Sequence, residues 1–257
     1  MKLIKPIFWN ENYFNIFALI LFPFSILIQL IFSLKKNISI EKKFKLKTIC
    51  IGNLYLGGTG KTPLAVKLSN IFNKKKLKTV IIKKYYQDQE DEIKFIKNNS
   101  RFSIVKSLRN QALKAAESNF DIALIDDGYQ DYTFHKDVNI ICFTSLNPIG
   151  NGHTLPSGPL RENLSSLKKK HIILINGKKN KLFENQILKI NKSIKIFYSN
   201  YIPGKDIKKF KNKNFLAFAG IGNPENFFDL LKKNKINVKQ KRIFPDHYRY
   251  TKRDVKY

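Results

Sequence analysis

Cysteine is nearly absent. Cys50 and Cys142 are the two in 257 residues, and both lie in apolar, strand-like runs, Thr48–Ile51 and Val138–Phe143. A secreted disulfide framework needs more of them, so the reading is a pair of reduced, buried thiols in a cytoplasmic setting. No Cys/His cluster has zinc-ligand spacing, which removes a structural zinc site. Acidic residues are few as well: 19 Asp and Glu stand against 48 Lys and Arg, a formal charge of +29. No internal repeat divides the chain. What is present, 43% hydrophobic and 26% charged residues, describes a globular protein with room for one large α/β domain or two modest lobes.

The basic excess has two readings. One is attraction to polyanions such as nucleic acid, anionic lipid or phosphorylated substrates. The other is compositional drift, because Lys, Asn, Ile and Phe are abundant together along the whole chain, a set that AT-rich codons favour. The lysines are scattered over nearly every expected exposed face and form no Arg-rich or RNA-binding motif. Drift is therefore the main cause, and no specific nucleic-acid partner is expected. Such a surface still favours an anionic membrane, by about 1 kcal/mol for each basic residue near it.

Tyr13–Leu34 is nearly continuous apolar sequence, interrupted by Asn15, Pro23, Ser25, Gln29 and Ser33, and it ends at Lys35-Lys36. A run of roughly 20 residues is long enough to span a bilayer. Pro23 and the spaced polar residues also allow a bent helix lying in the interface, and a buried core helix is the lesser alternative. A cleaved signal peptide fits poorly, since no small-residue cleavage site follows and the next segment is Lys-rich. Lys35, Lys36, Lys42, Lys43, Lys45 and Lys47 place the rest of the chain on the cytoplasmic side.

From Leu46 onward short β-rich runs alternate with helical stretches. Candidate strands are Leu46–Ile51, Thr79–Ile82, Ser103–Val105, Ile122–Ile125, Val138–Phe143, Ile172–Ile175, Ile194–Tyr198 and Phe215–Ala219. Leu64, Ala65, Leu68, Ile71 and Phe72 repeat with a period near 3.6 and mark a helix. The alternation predicts an α/β fold: a mostly parallel sheet flanked by helices, P-loop NTPase-like, with an N-terminal hydrophobic helix and a smaller C-terminal lobe. Expected boundaries are a membrane-associating segment over 1–40, a core over 41–176 and a C-terminal lobe over 177–257. The Lys/Asn-rich stretch Gly177–Ser193 reads as a surface connection with a short helix.

The strand ending at Ile51 runs into Gly57-Gly58-Thr59-Gly60-Lys61-Thr62 and then a helix. Glycines let backbone N–H groups turn inward around phosphate, and a helix N-terminus adds its dipole. Lys61 would reach the β- and γ-phosphates, and the Thr62 hydroxyl would hold Mg²⁺. The strict pattern wants glycine where Tyr55 stands; Tyr55 and Leu56 complete the loop. Asp121-Ile-Ala-Leu-Ile-Asp126-Asp127-Gly128 delivers two carboxylates at the end of an apolar strand, as a Mg²⁺ site beside a phosphate loop requires. Asn151-Gly152-His153 and Pro156-Ser157-Gly158-Pro159-Leu160-Arg161-Glu162 form a Gly/Pro-rich segment suited to a substrate loop, with Arg161 able to clamp a phosphate. Asp88, Glu90, Asp91 and Glu92 are the one acidic knot, and taken alone read equally well as a solvated loop. A lone His at 247 is more often structural than catalytic. No Asn-Lys-x-Asp sequence occurs, which removes the guanine-specificity signature of G-proteins.

Taken together these segments resemble the tetraacyldisaccharide 4'-kinase family of the lipid A pathway. The similar stretches are Ile51-Gly-Asn-Leu-Tyr-Leu-Gly-Gly-Thr-Gly-Lys-Thr-Pro63, Asp126-Asp-Gly-Tyr-Gln130, Gly150-Asn-Gly-His-Thr-Leu-Pro-Ser-Gly-Pro-Leu-Arg-Glu162, Phe218-Ala-Gly-Ile-Gly-Asn-Pro224 and Phe244-Pro-Asp-His247. They occur in the family's order over roughly residues 45 to 254, and five in order are highly specific. The resemblance implies transfer of the γ-phosphate of ATP, with Mg²⁺, to the 4'-hydroxyl of an acylated glucosamine disaccharide 1-phosphate. It implies a monomer on the cytoplasmic face of an anionic inner membrane in a Gram-negative bacterium.

By the same resemblance Lys61 and Thr62 serve phosphate and metal, Asp126 and Asp127 are the paired acids at the metal and the reacting phosphate, and Gln130 follows them. Asn151 and Arg161 lie on the acceptor side. His247 matches the histidine that pairs with an aspartate of a Gly-Asp-Glu-Pro motif in activating the hydroxyl; its counterpart here, in Glu90-Asp91-Glu92-Ile93, is Asp91. The family carries Ser-Arg-Gly-Tyr-Gly after its second strand, where this chain has Lys83-Lys84-Tyr85-Tyr86-Gln87 and almost no intervening stretch before Asp91. It also continues past the point where Tyr257 stands, so the expectation is a reduced enzyme, a truncated product or a protein that has lost part of its activity. Two rival classes remain from the residues alone: a membrane-recruited P-loop ATPase switch, and a basic nucleic-acid-binding protein.

Overall fold

In the computed structural model, which describes residues 5–10, 15–169 and 171–255, the Ile/Val-rich runs become strands and the stretches between them helices. Tyr13 and Phe14, the start of the apolar run, lie outside those residues. Two compact units emerge, Pro6–Ser199 and a smaller one of Met1–Lys5 with Asn200–Tyr257.

The larger unit is built on seven strands: β1 (Lys47–Gly52), β2 (Thr79–Lys84), β3 (Ser103–Lys106), β4 (Ile122–Asp126), β5 (Val138–Thr144), β6 (Ile172–Asn176) and β7 (Lys195–Ser199). Their order is β3-β2-β4-β1-β5-β6-β7, and every pair is parallel. Parallel strands need crossovers, supplied by α2 (Lys61–Lys74), α3 (Glu90–Asn99), α4 (Arg109–Ala116) and α5 (Lys181–Ile190). Side chains alternate across the sheet. Ile51, Ile81, Leu124 and Cys142 join Ala65 and Ile96 on one face, while Val80, Ile82, Ala123 and Ile125 meet Ala112 and Leu113 of α4 on the other. Both cysteines are fully buried and free, and burial pushes each thiol up to about 12.

The expected boundary at 176/177 falls between β6 and β7 of one sheet. The break lies at Ser199/Asn200 instead, because five register pairs from Ile172↔Lys195 to Asn176↔Ser199 carry the sheet through β7. The smaller unit is a β-α-β piece: β8 (Asn214–Ala219), α6 (Pro224–Lys233) and β9 (Asn237–Ile243), with Ala217, Ala219 and Phe228 at its centre. β9 has no counterpart among the expected strands. Its sequence Asn-Val-Lys-Gln-Lys-Arg-Ile is mostly exposed, so no apolar alternation marks it.

The apolar run forms α1 (Ile16–Ile38), of mean hydropathy 2.4 in its most apolar stretch, long and apolar enough to cross a membrane. Asn15 caps it by accepting from the N–H groups of Phe17 and Ala18. The helix continues through Lys35-Lys36, where the sequence suggested an end, until Ser39 N–H closes on Lys35 O at 3.0 Å. Pro23 sits inside it. Ala18 and Ser25 are its buried residues, while Phe17, Ile20, Phe24, Leu27, Leu30 and Leu34 are exposed.

Candidate active site

The carboxyl ends of β1 and β4 meet at the centre of the sheet, with Ile51 paired to Asp126. Ligands of open α/β sheets bind outside these ends. After Gly52 the chain turns around Asn53, fully buried, whose amide donates to the carbonyls of Tyr55 and Gly57. Leu56 N–H reaches Pro159 O at 2.8 Å and Tyr55 bridges Leu160, so the front of the glycine loop is stitched to the 154–161 segment. Gly57 (φ 137°) and Gly60 (φ 86°) occupy backbone conformations that a side chain would strain. Gly60 caps α2 with no side-chain hydrogen bond, so no cap competes with an anion for the N–H groups of the first turn.

Asp126 is fully buried. Its Oδ2 accepts from Thr62 Oγ1 at 2.9 Å and from Lys83 Nζ at 3.0 Å, and its Oδ1 has no partner among the described residues. Asp127 turns into the left-handed region (φ 53°). That turn brings its carboxylate to Arg161 at 3.0 Å and to Lys61 at 3.6 Å. Burial by itself would raise the Asp127 carboxyl; Lys61, Arg161 and Lys83 outweigh it and hold the group well below the usual carboxylate range. Gln130 bridges the same groups, donating to Asn53 O at 3.1 Å and accepting from Arg161 at 3.4 Å. The peptide after β4 is held from behind by Arg109, buried in α4, which donates to Asp127 O at 2.7 Å and pairs with Asp131 at 3.2 Å.

Lys61, Thr62, Asp126, Asp127, Gln130 and Arg161 therefore come together in space. The donor set fits a magnesium ion completed by phosphate oxygens. Asp126 Oδ1 is a buried acceptor without a donor, and the Thr62 hydroxyl stands beside it. Among the described residues no group of three His, Cys, Asp or Glu could hold a metal.

A model of the family described as "Tetraacyldisaccharide-1-P 4'-kinase" matches residues 17–257. The chain belongs to this family. The resemblance drawn from the five motifs is thereby borne out. Among the family's members, the tetraacyldisaccharide 4'-kinase of Pelagibacter ubique is 45% identical over 259 residues, covering 99% of this chain and 81% of that protein. The enzyme of the same name from Rickettsia felis is 32% identical, covering 99% and 82%. The fold matches the structure of LpxK from Aquifex aeolicus, described as an "apo" form in complex with ATP, at a TM-score of 0.70 and 23% identity over 92% of this chain and 84% of that one.

Other residues singled out from sequence sit differently. The Tyr55 ring belongs to the core with Leu54 and Leu160, leaving the backbone for the loop. Asn151 is occupied by its own segment and the N-terminal stretch: its amide donates to Ser157 O at 2.9 Å and Phe8 O at 3.3 Å, and its oxygen accepts from His153 N–H. Asp91 is exposed in the first turn of α3, in the larger unit. The acidic knot is thus mostly a helix start, where negative charge is favoured. His247 belongs to the smaller unit, at φ 56°, with its N–H on Gly220 O and its ring 3.9 Å from Asp246. Lys83 and Arg109 were not expected in the site. A lysine closing the apolar run Val80–Ile82 was the available signal for the first; nothing local marks the second.

Proposed function

We propose that this chain transfers the γ-phosphate of ATP to the 4'-hydroxyl of tetraacyldisaccharide 1-phosphate, forming the bis-phosphorylated lipid A precursor lipid IVA. The observation that carries the reading is the convergence of Lys61, Asp127 and Arg161 behind the glycine loop in a member of this kinase family. Asp127 pairs with both cations. Phosphate oxygens entering the loop would compete for them, so Lys61 and Arg161 are preorganised charges for the transferring group. Thr62, Asp126 and Asp127 would hold Mg²⁺, which when bound neutralises charge on the phosphate oxygens. Gly57–Gly60 and the start of α2 would cradle the phosphates, with the backbone of Tyr55 and Leu56 leading in and Gln130 fixing Arg161.

On the acceptor side, Asp91 and His247 would orient or deprotonate the hydroxyl, and the Asn151–Arg161 segment would face the disaccharide. The exposed apolar side of α1 would sit in an anionic membrane on its cytoplasmic face, within reach of a substrate whose acyl chains stay in the lipid. The test is purified protein with ATP, Mg²⁺ and detergent-solubilised disaccharide 1-phosphate, read out as bis-phosphorylated product. Lys61→Ala is expected to lose at least about a hundredfold in turnover while binding vesicles as the wild type does. Substantial lipid phosphorylation by that variant sinks the assignment.

A further inference from the structure

Lys83 lies at the carboxyl end of β2, only 3% exposed. Along β2, Val80 and Ile82 face the α4 side and Ile81 the side of α2 and α3. By the two-residue period Lys83 shares the face of Ile81. β4 alternates the same way, with Leu124 on the α2 and α3 side, so Asp126 rises on that face beside Lys83, its register partner. The ammonium meets Asp126 Oδ2 at 3.0 Å and also pairs with Glu92 in the first turn of α3.

Three elements are joined at this nitrogen. Thr62, at the start of α2, donates to the same Oδ2, so two donors fix that oxygen and leave Oδ1 as the one presented to a ligand. We infer that Lys83 is a positioning residue for phosphoryl transfer: it sets the orientation of Asp126 and ties it, through Glu92, to the helix turn that carries Asp91. Its effect on turnover rests on the kinase reading; its effects on nucleotide binding and on α3 do not. The Lys83 ammonium is shared by two carboxylates, those of Asp126 and Glu92. Charged, it stands between two carboxylates that would otherwise repel.

The test uses full-length Lys83→Met, Lys83→Arg and Glu92→Gln. The readouts are binding of a fluorescent ATP analogue across a Mg²⁺ titration, hydrogen exchange of the α3 amides, and steady-state disaccharide phosphorylation. Lys83→Met is expected to raise the Mg²⁺ needed for half-maximal nucleotide binding by about tenfold, as loss of a group that orients a metal ligand does. It should speed exchange in α3 and lower kcat by about a hundredfold with KM for ATP within about threefold. Lys83→Arg should restore part of kcat, because the charge returns in a different shape.

Removing the cation strands two carboxylates, so if Lys83→Met does not fold, Glu92→Gln decides. That variant keeps the Lys83–Asp126 pair and should speed α3 exchange and lower kcat while leaving the Mg²⁺ dependence unchanged. Unaltered Mg²⁺ dependence and α3 exchange in Lys83→Met, or unaltered α3 exchange and kcat in Glu92→Gln, overturn the inference. A wild-type protein that binds nucleotide but phosphorylates no disaccharide overturns the kinase reading alone, since binding and exchange still report on Lys83.

Discussion

Asp127 is the residue at which the charges of the site balance. Its left-handed backbone is uncommon for a residue other than glycine and is held by Arg109 on its carbonyl and by its own N–H on Ile51 O at 2.9 Å. Its carboxyl is lowered in the folded state, so the stabilisation it provides is complete above the unfolded carboxylate value, about 3.9. It is lost as pH falls below that value through the folded one. Asp127→Asn is therefore expected to cost about 2 kcal/mol at neutral pH, the scale of a charge-assisted hydrogen bond. The gap to wild type should close only below about pH 4, in urea denaturation followed across pH. Equal gaps at pH 7 and pH 3 would show that the ion pair is not the source. The two aspartates were legible in the sequence because they end an apolar strand. That Arg161 answers Asp127 across 34 residues follows only from the loop folding back.

Among the elements, α1 looks in sequence like an apolar rod with accidental polar breaks. Two of those breaks face inward. Ser25, 2% exposed, donates to Thr154 O at 2.9 Å and accepts from Ser157 N–H at 3.0 Å, and Ser157 Oγ donates back to Ala18 O at 2.7 Å. Gln29 donates to Arg161 O at 3.1 Å, tying the helix to the residue that meets Asp127. Polar positions one turn apart make a narrow seam on the helix face that touches protein, while the apolar positions point away. Ser25→Ala removes only the hydroxyl and strands a buried carbonyl and a buried N–H. It is expected to cost about 2 kcal/mol in chemical denaturation, the range for unsatisfied buried groups. A variant as stable as wild type would mean that the seam holds nothing.

For the whole molecule, the proposed membrane attachment would combine a charge of +29 with the apolar helix α1. Lys35 and Lys36 close the last turns of α1, where cations also suit the helix dipole. Replacing both with Gln should weaken binding to vesicles containing phosphatidylglycerol by about thirtyfold at low salt, with little change on neutral vesicles. The difference should shrink as salt screens the surface. Equal losses on both kinds of vesicle would mean that apolar contact alone drives attachment. The division into units belongs to this scale too. Lys178, Lys179 and Lys181 made the stretch after β6 read as a domain boundary. Pairing of Lys195–Ser199 with the sheet moves that boundary past Ser199, because an apolar strand gains more from an open sheet edge than from starting a new core.

The sequence by itself determined the parallel α/β sheet, the glycine loop, the paired carboxylates and the family, since each is written in neighbouring residues: apolar runs of strand length, glycines where backbone must turn, acids where a strand ends. The tertiary structure alone decided which distant groups answer them. Lys83 reaches Asp126 because two strands lie in register, Arg109 braces Asp127 from a helix behind the sheet, and Gln29 holds Arg161 from the apolar helix. Hydrogen bonds and ion pairs act over a few ångströms, and that proximity is set by how the chain returns on itself rather than by spacing along it.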